Sequence, residues 1–154
     1  MSHTLENKRH TLAHLLAAAV LKDYPHAKLT LGPAIDNGFY YDIDFTGGPA
    51  VGDDNLKDIQ KNMKKLLNSW TEFSHAEVSL KDAEELYKDN PYKLELVREI
   101  ADRGETITLY TCGGFTDLCR GGHSEHPNKD LKADAFKLDK VAGAYWRGDE
   151  KTRC

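Results

Sequence analysis

Apolar residues recur at helical spacing along several stretches of the chain. Residues 4–23 are apolar over most of the circumference that a helix would have, so this stretch predicts a helix that is largely buried. Residues 54–70 place their apolar side chains on one face, which predicts an amphipathic helix. Two further helices are predicted where capping or helix-starting residues come first, at residues 80–89 and 92–102.

Alternation of apolar and polar positions predicts one strand with particular clarity. Between Phe39 and Phe45 an apolar side chain occupies every second position. Other strands are predicted at residues 28–31, 73–78, 106–110, 134–141 and 144–147, and the glycine-rich stretch 112–123 is predicted to be a loop. Because helices and strands mix without strict alternation, the pattern favours an α+β fold in which an antiparallel sheet carries helices on one side.

Composition narrows the class of protein. The 154 residues, 40% of them hydrophobic and 30% charged, suit a single domain that spans residues 1–154. No apolar run is long enough to cross a bilayer, and residues 1–9 lack the layout of a signal peptide, so a cytoplasmic protein is expected. Three cysteines do not describe a disulfide framework. The net charge of −4 argues against strong non-specific nucleic-acid binding but allows contact with one end of a nucleic acid.

Two pairs of metal-binding or catalytic residue types stand out in the sequence. His10 and His14 lie four residues apart in the first predicted helix, so they share one of its faces. Cys119 and His123 have the same spacing inside the glycine-rich stretch. Burial of two imidazoles costs free energy unless they have partners, which indicates a site rather than plain core packing.

These four side chains allow two kinds of site. Imidazole nitrogen and thiolate sulfur are ligands that zinc prefers, and two pairs could form a tetrahedral cage. If all four bind, however, zinc only staples the fold, and such a closed site does not require the adjacent Asp117 and Arg120. The alternative is a metal-free hydrolytic pocket, in which a histidine orients or deprotonates water while the glycines let the backbone approach a substrate.

The residues around both pairs also resemble a known family. Five segments, spread in order over essentially the whole chain, are similar to signatures of the editing domain of bacterial-type threonyl-tRNA synthetase: residues 10–17, 37–42, 91–93, 115–123 and 143–149. One departure is visible, because this family usually has proline where the chain has Gly122. That difference is expected to loosen the loop that holds His123.

The resemblance implies a fold, a reaction and partners. The fold would be the α+β domain shared with alanyl-tRNA editing proteins, and residues from about 143 onward would begin the link to a catalytic domain. The reaction would be hydrolysis of the ester that joins serine wrongly to threonine tRNA. The partners would then be the 3′ end of tRNA(Thr) and the catalytic and anticodon-binding domains of the full synthetase, with no membrane. The chain would be either a free-standing editor or an excised domain.

The resemblance further implies which residues carry the reaction. His10 and Lys93 would hold and activate the attacking water. His14, Cys119 and His123 would line the pocket around the aminoacyl ester and the terminal adenosine. Relatives of the alanyl type carry zinc at the equivalent cluster, whereas editing domains of the threonyl type are described as working without it. No cofactor is therefore expected to be required, although zinc could enter the site.

Three more residues are implied in substrate binding. Asp117 would bind the amino group of the substrate or a ribose hydroxyl, and Tyr41 would lie against the terminal adenosine. Arg120 would contribute to the same binding surface. The competing hypothesis is a zinc-stapled module that binds RNA or protein without catalysis, with the metal at the four histidine and cysteine positions.

Overall fold

Five α-helices and nine strands make up the part of the chain that the computed structural model describes, namely residues 5–30, 34–35, 38–49, 51–119, 126–131, 136, 138, 143–146 and 149–153. The helices are α1 (Leu5–Asp23), α2 (Leu56–Leu67), α3 (Leu80–Leu86), α4 (Pro91–Asp102) and α5 (Pro127–Asp130), and a 3₁₀ turn at Asp53–Asn55 precedes α2. The strands are β1 (Lys28–Leu29), β2 (Ala34–Ile35), β3 (Gly38–Phe39), β4 (Ile43–Asp44), β5 (Ser74–Val78), β6 (Ile107–Cys112), β7 (Phe115–Leu118), β8 (Gly143–Trp146) and β9 (Asp149–Arg153).

The strands form three small antiparallel sheets. Strands β1, β4, β9 and β8 form one sheet in that order, β2 pairs with β3, and β5, β6 and β7 form the third sheet. Every pairing among the described strands is antiparallel. The predicted α+β class is therefore confirmed, although the described strands form three small sheets where the sequence suggested one.

Several element boundaries differ from the sequence prediction. The alternating stretch 39–45 is a strand only near its ends, because residues 40–42 lie outside β3 and β4. The third helix ends at Leu86, earlier than predicted. The predicted strand 134–141 lies mostly outside the described residues, while β9 has no counterpart among the predictions.

The glycine-rich stretch was wrongly predicted to be entirely loop, because it contains strand β7. Residues Gly113 and Gly114 form a two-residue turn between β6 and β7, in which Cys112 pairs with Phe115. Both glycines have positive φ, 57° and 85°, as the tight turn between antiparallel strands requires. The two glycines therefore form the turn of a hairpin, and the second strand of this hairpin carries the buried Asp117.

Two clusters of buried apolar side chains hold these elements together. The larger cluster joins α1 to α2 and includes Tyr41 and Trp70, and the smaller packs α3 and α4 against Ile107 of β6. Helix α1 is buried around much of its circumference, as predicted, and His14 is among its buried residues. Nowhere in the described part of the chain is a helix both long and apolar enough to cross a membrane.

Candidate active site

Asp117 on β7 is the centre of a buried polar cluster, and the residue is only 2% exposed. Its Oδ2 accepts hydrogen bonds from Nδ1 of His14 at 3.0 Å and from the hydroxyl of Tyr41 at 2.5 Å. Its Oδ1 accepts from Nζ of Lys93 at 2.9 Å and from the backbone N–H of Leu118 at 2.8 Å. An ionised carboxylate can only accept, so His14 must carry a proton on Nδ1. Four donors use the full accepting capacity of this carboxylate.

Lys93 is also 2% exposed, which is rare for a lysine. Besides Asp117, its Nζ donates to the hydroxyl of Tyr41 at 3.0 Å. Asn90 caps α4 by accepting a hydrogen bond from the backbone N–H of Lys93 at 3.2 Å, and it donates to the carbonyl of Leu29 at 2.8 Å. The cap thus ties the first turn of α4 to β1 and fixes the point from which Lys93 reaches the carboxylate.

A second tie holds the same turn of α4. The hydroxyl of Tyr92 donates to Oδ2 of Asp44 on β4, and both residues are buried. Burial raises the pKa of Asp44, but hydrogen bonds from Tyr92 and from the backbone of Thr46 outweigh it, so the pKa lies below the usual value. Asp44 therefore accepts these bonds as a carboxylate and anchors the residue next to Lys93.

The electrostatics of the cluster depend on Asp117. Burial alone would raise the pKa of Asp117, but the charge of Lys93 and the hydrogen bond from His14 outweigh it and hold this pKa well below the usual range. Burial, followed by the charge of Asp117, raises the pKa of Tyr41 well above its ordinary value. At neutral pH Asp117 is therefore an anion and Tyr41 is a neutral hydrogen-bond donor.

His10 and Cys119 form a more accessible layer beside this cluster. Nε2 of His10 lies 3.5 Å from Sγ of Cys119. The rings of His10 and His14 are 4.9 Å apart between centroids, as expected for residues one helical turn apart. Both His10 and Cys119 are half-buried, whereas His14 and Asp117 are buried. The half-buried pair is therefore the more solvent-accessible side of the described part of the cluster.

Three of these side chains could hold a metal ion. One ligand atom each from His10, His14 and Cys119 lies within 4.8 Å of the others. Because Nδ1 of His14 is bonded to Asp117, Nε2 would be its ligating atom, and a carboxylate behind a ligating histidine is common at zinc sites. Two imidazoles and one thiolate are a donor set that suits zinc, so the zinc hypothesis is compatible with the cluster.

The structure brings six of the eight predicted site residues together: His10, His14, Tyr41, Lys93, Asp117 and Cys119. Arg120 and His123 lie outside the described residues. The catalytic and substrate-binding roles of all eight remain predictions. Sequence reasoning missed Asn90, although an asparagine directly before a proline is a typical start of a helix.

Comparison with curated proteins finds relatives along nearly the whole chain. A threonine–tRNA ligase of Dehalococcoides mccartyi is 48% identical over 147 residues, which cover 96% of this chain and 24% of that protein. The corresponding enzyme of Borreliella burgdorferi is 42% identical over 147 residues, covering 96% and 25%. That of Rubrobacter xylanophilus is 46% identical over 142 residues, covering 92% and 21%. The chain thus spans about a quarter of the length of these relatives. No family model matches the chain.

Proposed function

The chain is homologous to part of the threonine–tRNA ligases, and on that premise we propose that it is an editing domain that hydrolyses the ester joining serine to tRNA(Thr). Serine lacks one methyl group of threonine, and one such group in a binding pocket gives only about 1–3 kcal/mol of discrimination. A synthetic site cannot reject a smaller amino acid by crowding, so a second site must remove it. The partners would be the mischarged 3′ end of tRNA(Thr) and the other domains of the synthetase.

The observation that carries this proposal is the buried ion pair of Lys93 and Asp117, with His14 on the same carboxylate. Apolar side chains in place of a buried ion pair are often neutral or stabilising, so stability alone does not account for it. Ionisable groups with strongly perturbed pKa values are concentrated at functional sites. The half-buried His10 and Cys119 beside the pair supply the accessible face that a substrate needs.

The proposed reaction is attack of water on the carbonyl carbon of the seryl ester. Water transfers a proton to the imidazole of His10, which solvent can reach. Nζ of Lys93 uses two of its three N–H donors on Asp117 and Tyr41, and the third can hold the water or the developing oxyanion. The bond to the ribose oxygen then breaks and this oxygen takes the proton from His10, which releases serine and uncharged tRNA.

Deacylation of seryl-tRNA(Thr) by the purified chain tests the proposal. We expect His10→Ala and Lys93→Ala each to lower the rate at least about tenfold, since acid–base groups contribute that much or more. Lys88→Ala is the matched control, because Lys88 is an exposed lysine that pairs with the exposed Glu85. Full activity in a folded His10→Ala, Lys93→Ala double variant would contradict the assignment, as would an inactive wild-type chain.

The zinc-stapled binding module is a second candidate, favoured by the proximity of His10, His14 and Cys119. A structural zinc contributes directly to folding, so a chelator would unfold such a module. The hydrolase proposal instead expects that chelation leaves both the circular dichroism spectrum and the deacylation rate nearly unchanged. Loss of the folded spectrum in chelator, with recovery on addition of zinc, would favour the binding module.

A further inference from the structure

The face of the β5–β6–β7 sheet that carries Asp117 extends to an aromatic pair at the surface, the half-buried Tyr110 and the exposed His75. Asp117 on β7 lies directly opposite Tyr110 on β6, and Tyr110 lies directly opposite His75 on β5. Residues directly opposite each other in antiparallel strands project from the same face of the sheet. The three side chains therefore form one row, which leads from the buried carboxylate to the edge strand β5.

Four aromatic rings follow this row from the interior to the surface. The ring of Phe73 lies 6.5 Å from that of His14 and 6.3 Å from that of Tyr110, edge to face in both cases. The rings of Tyr110 and His75 are stacked, with 5.2 Å between centroids and 26° between planes. His14 is buried, Phe73 and Tyr110 are half-buried, and His75 is exposed. The stacked pair therefore lies where the aromatic row meets solvent.

We propose that Tyr110 and His75 form a stacking platform for the unpaired terminal base of the RNA substrate. The inference rests on the proposed editing function and adds to it the place where the RNA end binds. Proteins hold single-stranded bases by stacking them on aromatic side chains. Neighbouring strands are about 4.8 Å apart, so His75 lies roughly 10 Å across the sheet from Asp117, with Tyr110 about halfway between them.

The burial of Tyr41 makes this platform the better position for the base. Tyr41 was expected from the resemblance to lie against the terminal adenosine, yet the residue is 2% exposed and its hydroxyl is bonded to Asp117. A base needs a ring face that solvent can reach, and the Tyr110–His75 pair borders solvent on the same face of the sheet. Tyr41 is instead placed to orient Lys93.

A polar row beside the platform fits a nucleoside better than a phosphate. Glu77 lies opposite Thr108, whose carbonyl accepts a hydrogen bond from the backbone N–H of Cys119 at 3.2 Å. Glu77 is exposed, and a carboxylate accepts hydrogen bonds from an exocyclic amine or a ribose hydroxyl but repels a phosphate. This row runs parallel to the platform and ends at Cys119, the accessible side of the candidate active site.

The test uses a short RNA ending in CCA with 2-aminopurine, whose fluorescence falls on stacking, at the terminal position. We expect the wild-type chain to quench it, and Tyr110→Leu and His75→Ala each to weaken binding about fivefold or more, in line with the usual contribution of one base stack. In deacylation assays KM should rise by a similar factor with little change in kcat, because the platform binds substrate without touching the ester. Tyr110→Phe keeps the ring and should behave as wild type.

Two controls distinguish base stacking from a merely stabilising role of the pair and from the deacylase activity. Ser74→Ala changes the exposed neighbour of His75, which lies on the opposite face, and should leave KM and quenching unchanged. If Tyr110→Leu lowers the melting temperature but leaves KM and quenching unchanged, the pair only stabilises the edge strand and the platform is refuted. If wild type quenches the RNA but fails to deacylate seryl-tRNA, the proposed function fails while the platform stands.

Discussion

Asp117→Asn is the substitution that most directly tests the buried cluster. The carboxamide has the shape of the carboxylate, but it replaces one accepting oxygen with a donating NH₂ group. In the wild type, one carboxylate oxygen of Asp117 faces Lys93 and the other faces His14 and Tyr41. The amide nitrogen of the variant therefore meets a hydrogen-bond donor in either of its two orientations. The ammonium of Lys93 also loses its counterion in a place where it is only 2% exposed.

The loss of stability should be large for a change of one atom. Removing one partner of a buried ion pair costs about 3–5 kcal/mol, and we expect the lower end because the remaining oxygen can still accept a bond from Lys93. For a domain of this size about 3 kcal/mol corresponds to a fall of roughly 6–12 °C in melting temperature. Asp102→Asn, an exposed change at the end of α4, is the matched control and should change it by much less.

The stability that Asp117 contributes should depend on pH. Because the pKa of Asp117 is lower in the folded chain than in the unfolded chain, ionisation of this carboxyl stabilises the fold. The contribution is fully present above the unfolded-state pKa, at about 4, and is lost as the pH falls toward the lower folded-state pKa. Urea denaturation of wild type and Asp117→Asn should therefore differ most at neutral pH, and the difference should shrink in acid.

Lys93→Met tests whether Lys93 and Asp117 are energetically coupled. Lys93→Met removes the uncompensated charge, so the Asp117→Asn, Lys93→Met double variant should be more stable than Asp117→Asn by itself. In the wild-type background Lys93→Met should instead destabilise, because it leaves the Asp117 carboxylate without its cation. If Lys93→Met destabilises both backgrounds by the same amount, the two residues are not coupled and the ion pair is not the centre of the cluster.

Further variants test the hairpin and the helix cap. A Cβ on Gly113 would lie 2.5 Å from the indole of Trp70, whereas one on Gly104 meets nothing within 4 Å, and both glycines have positive φ. Gly113→Ala should therefore lower the denaturation midpoint clearly more than Gly104→Ala, whose cost is the backbone strain of roughly 1–2 kcal/mol. Asn90→Ala should cost about 1 kcal/mol through loss of the cap and should also slow deacylation, because it removes one of the two ties on the turn that holds Lys93.

Sequence reasoning singled out six side chains that lie together in the fold, but it did not predict their arrangement. The four-residue spacing of His10 and His14 and the apolar girth of α1 correctly indicated a shared, partly buried face. The central position of Asp117 was not predictable, because it depends on partners 103 residues away along the chain at His14 and 76 away at Tyr41. The hairpin that carries Asp117 was not predicted, because a glycine-rich composition does not by itself distinguish a tight turn from a loop.

Lys93 is anchored both at its backbone and at its side chain. Its backbone is tied to the β1–β4 sheet through Asn90 and through the neighbouring Tyr92, while its side chain is tied to β7 in a different sheet. Movement of one sheet against the other must therefore stretch an ion pair whose partners are each only 2% exposed, and separating buried charges is costly. The buried layer is thus preorganised, as electrostatic stabilisation of a transition state requires. Under the proposed hydrolysis, adjustment to a substrate would fall to the half-buried layer of His10 and Cys119, where a hydrogen bond to sulfur costs less to rearrange.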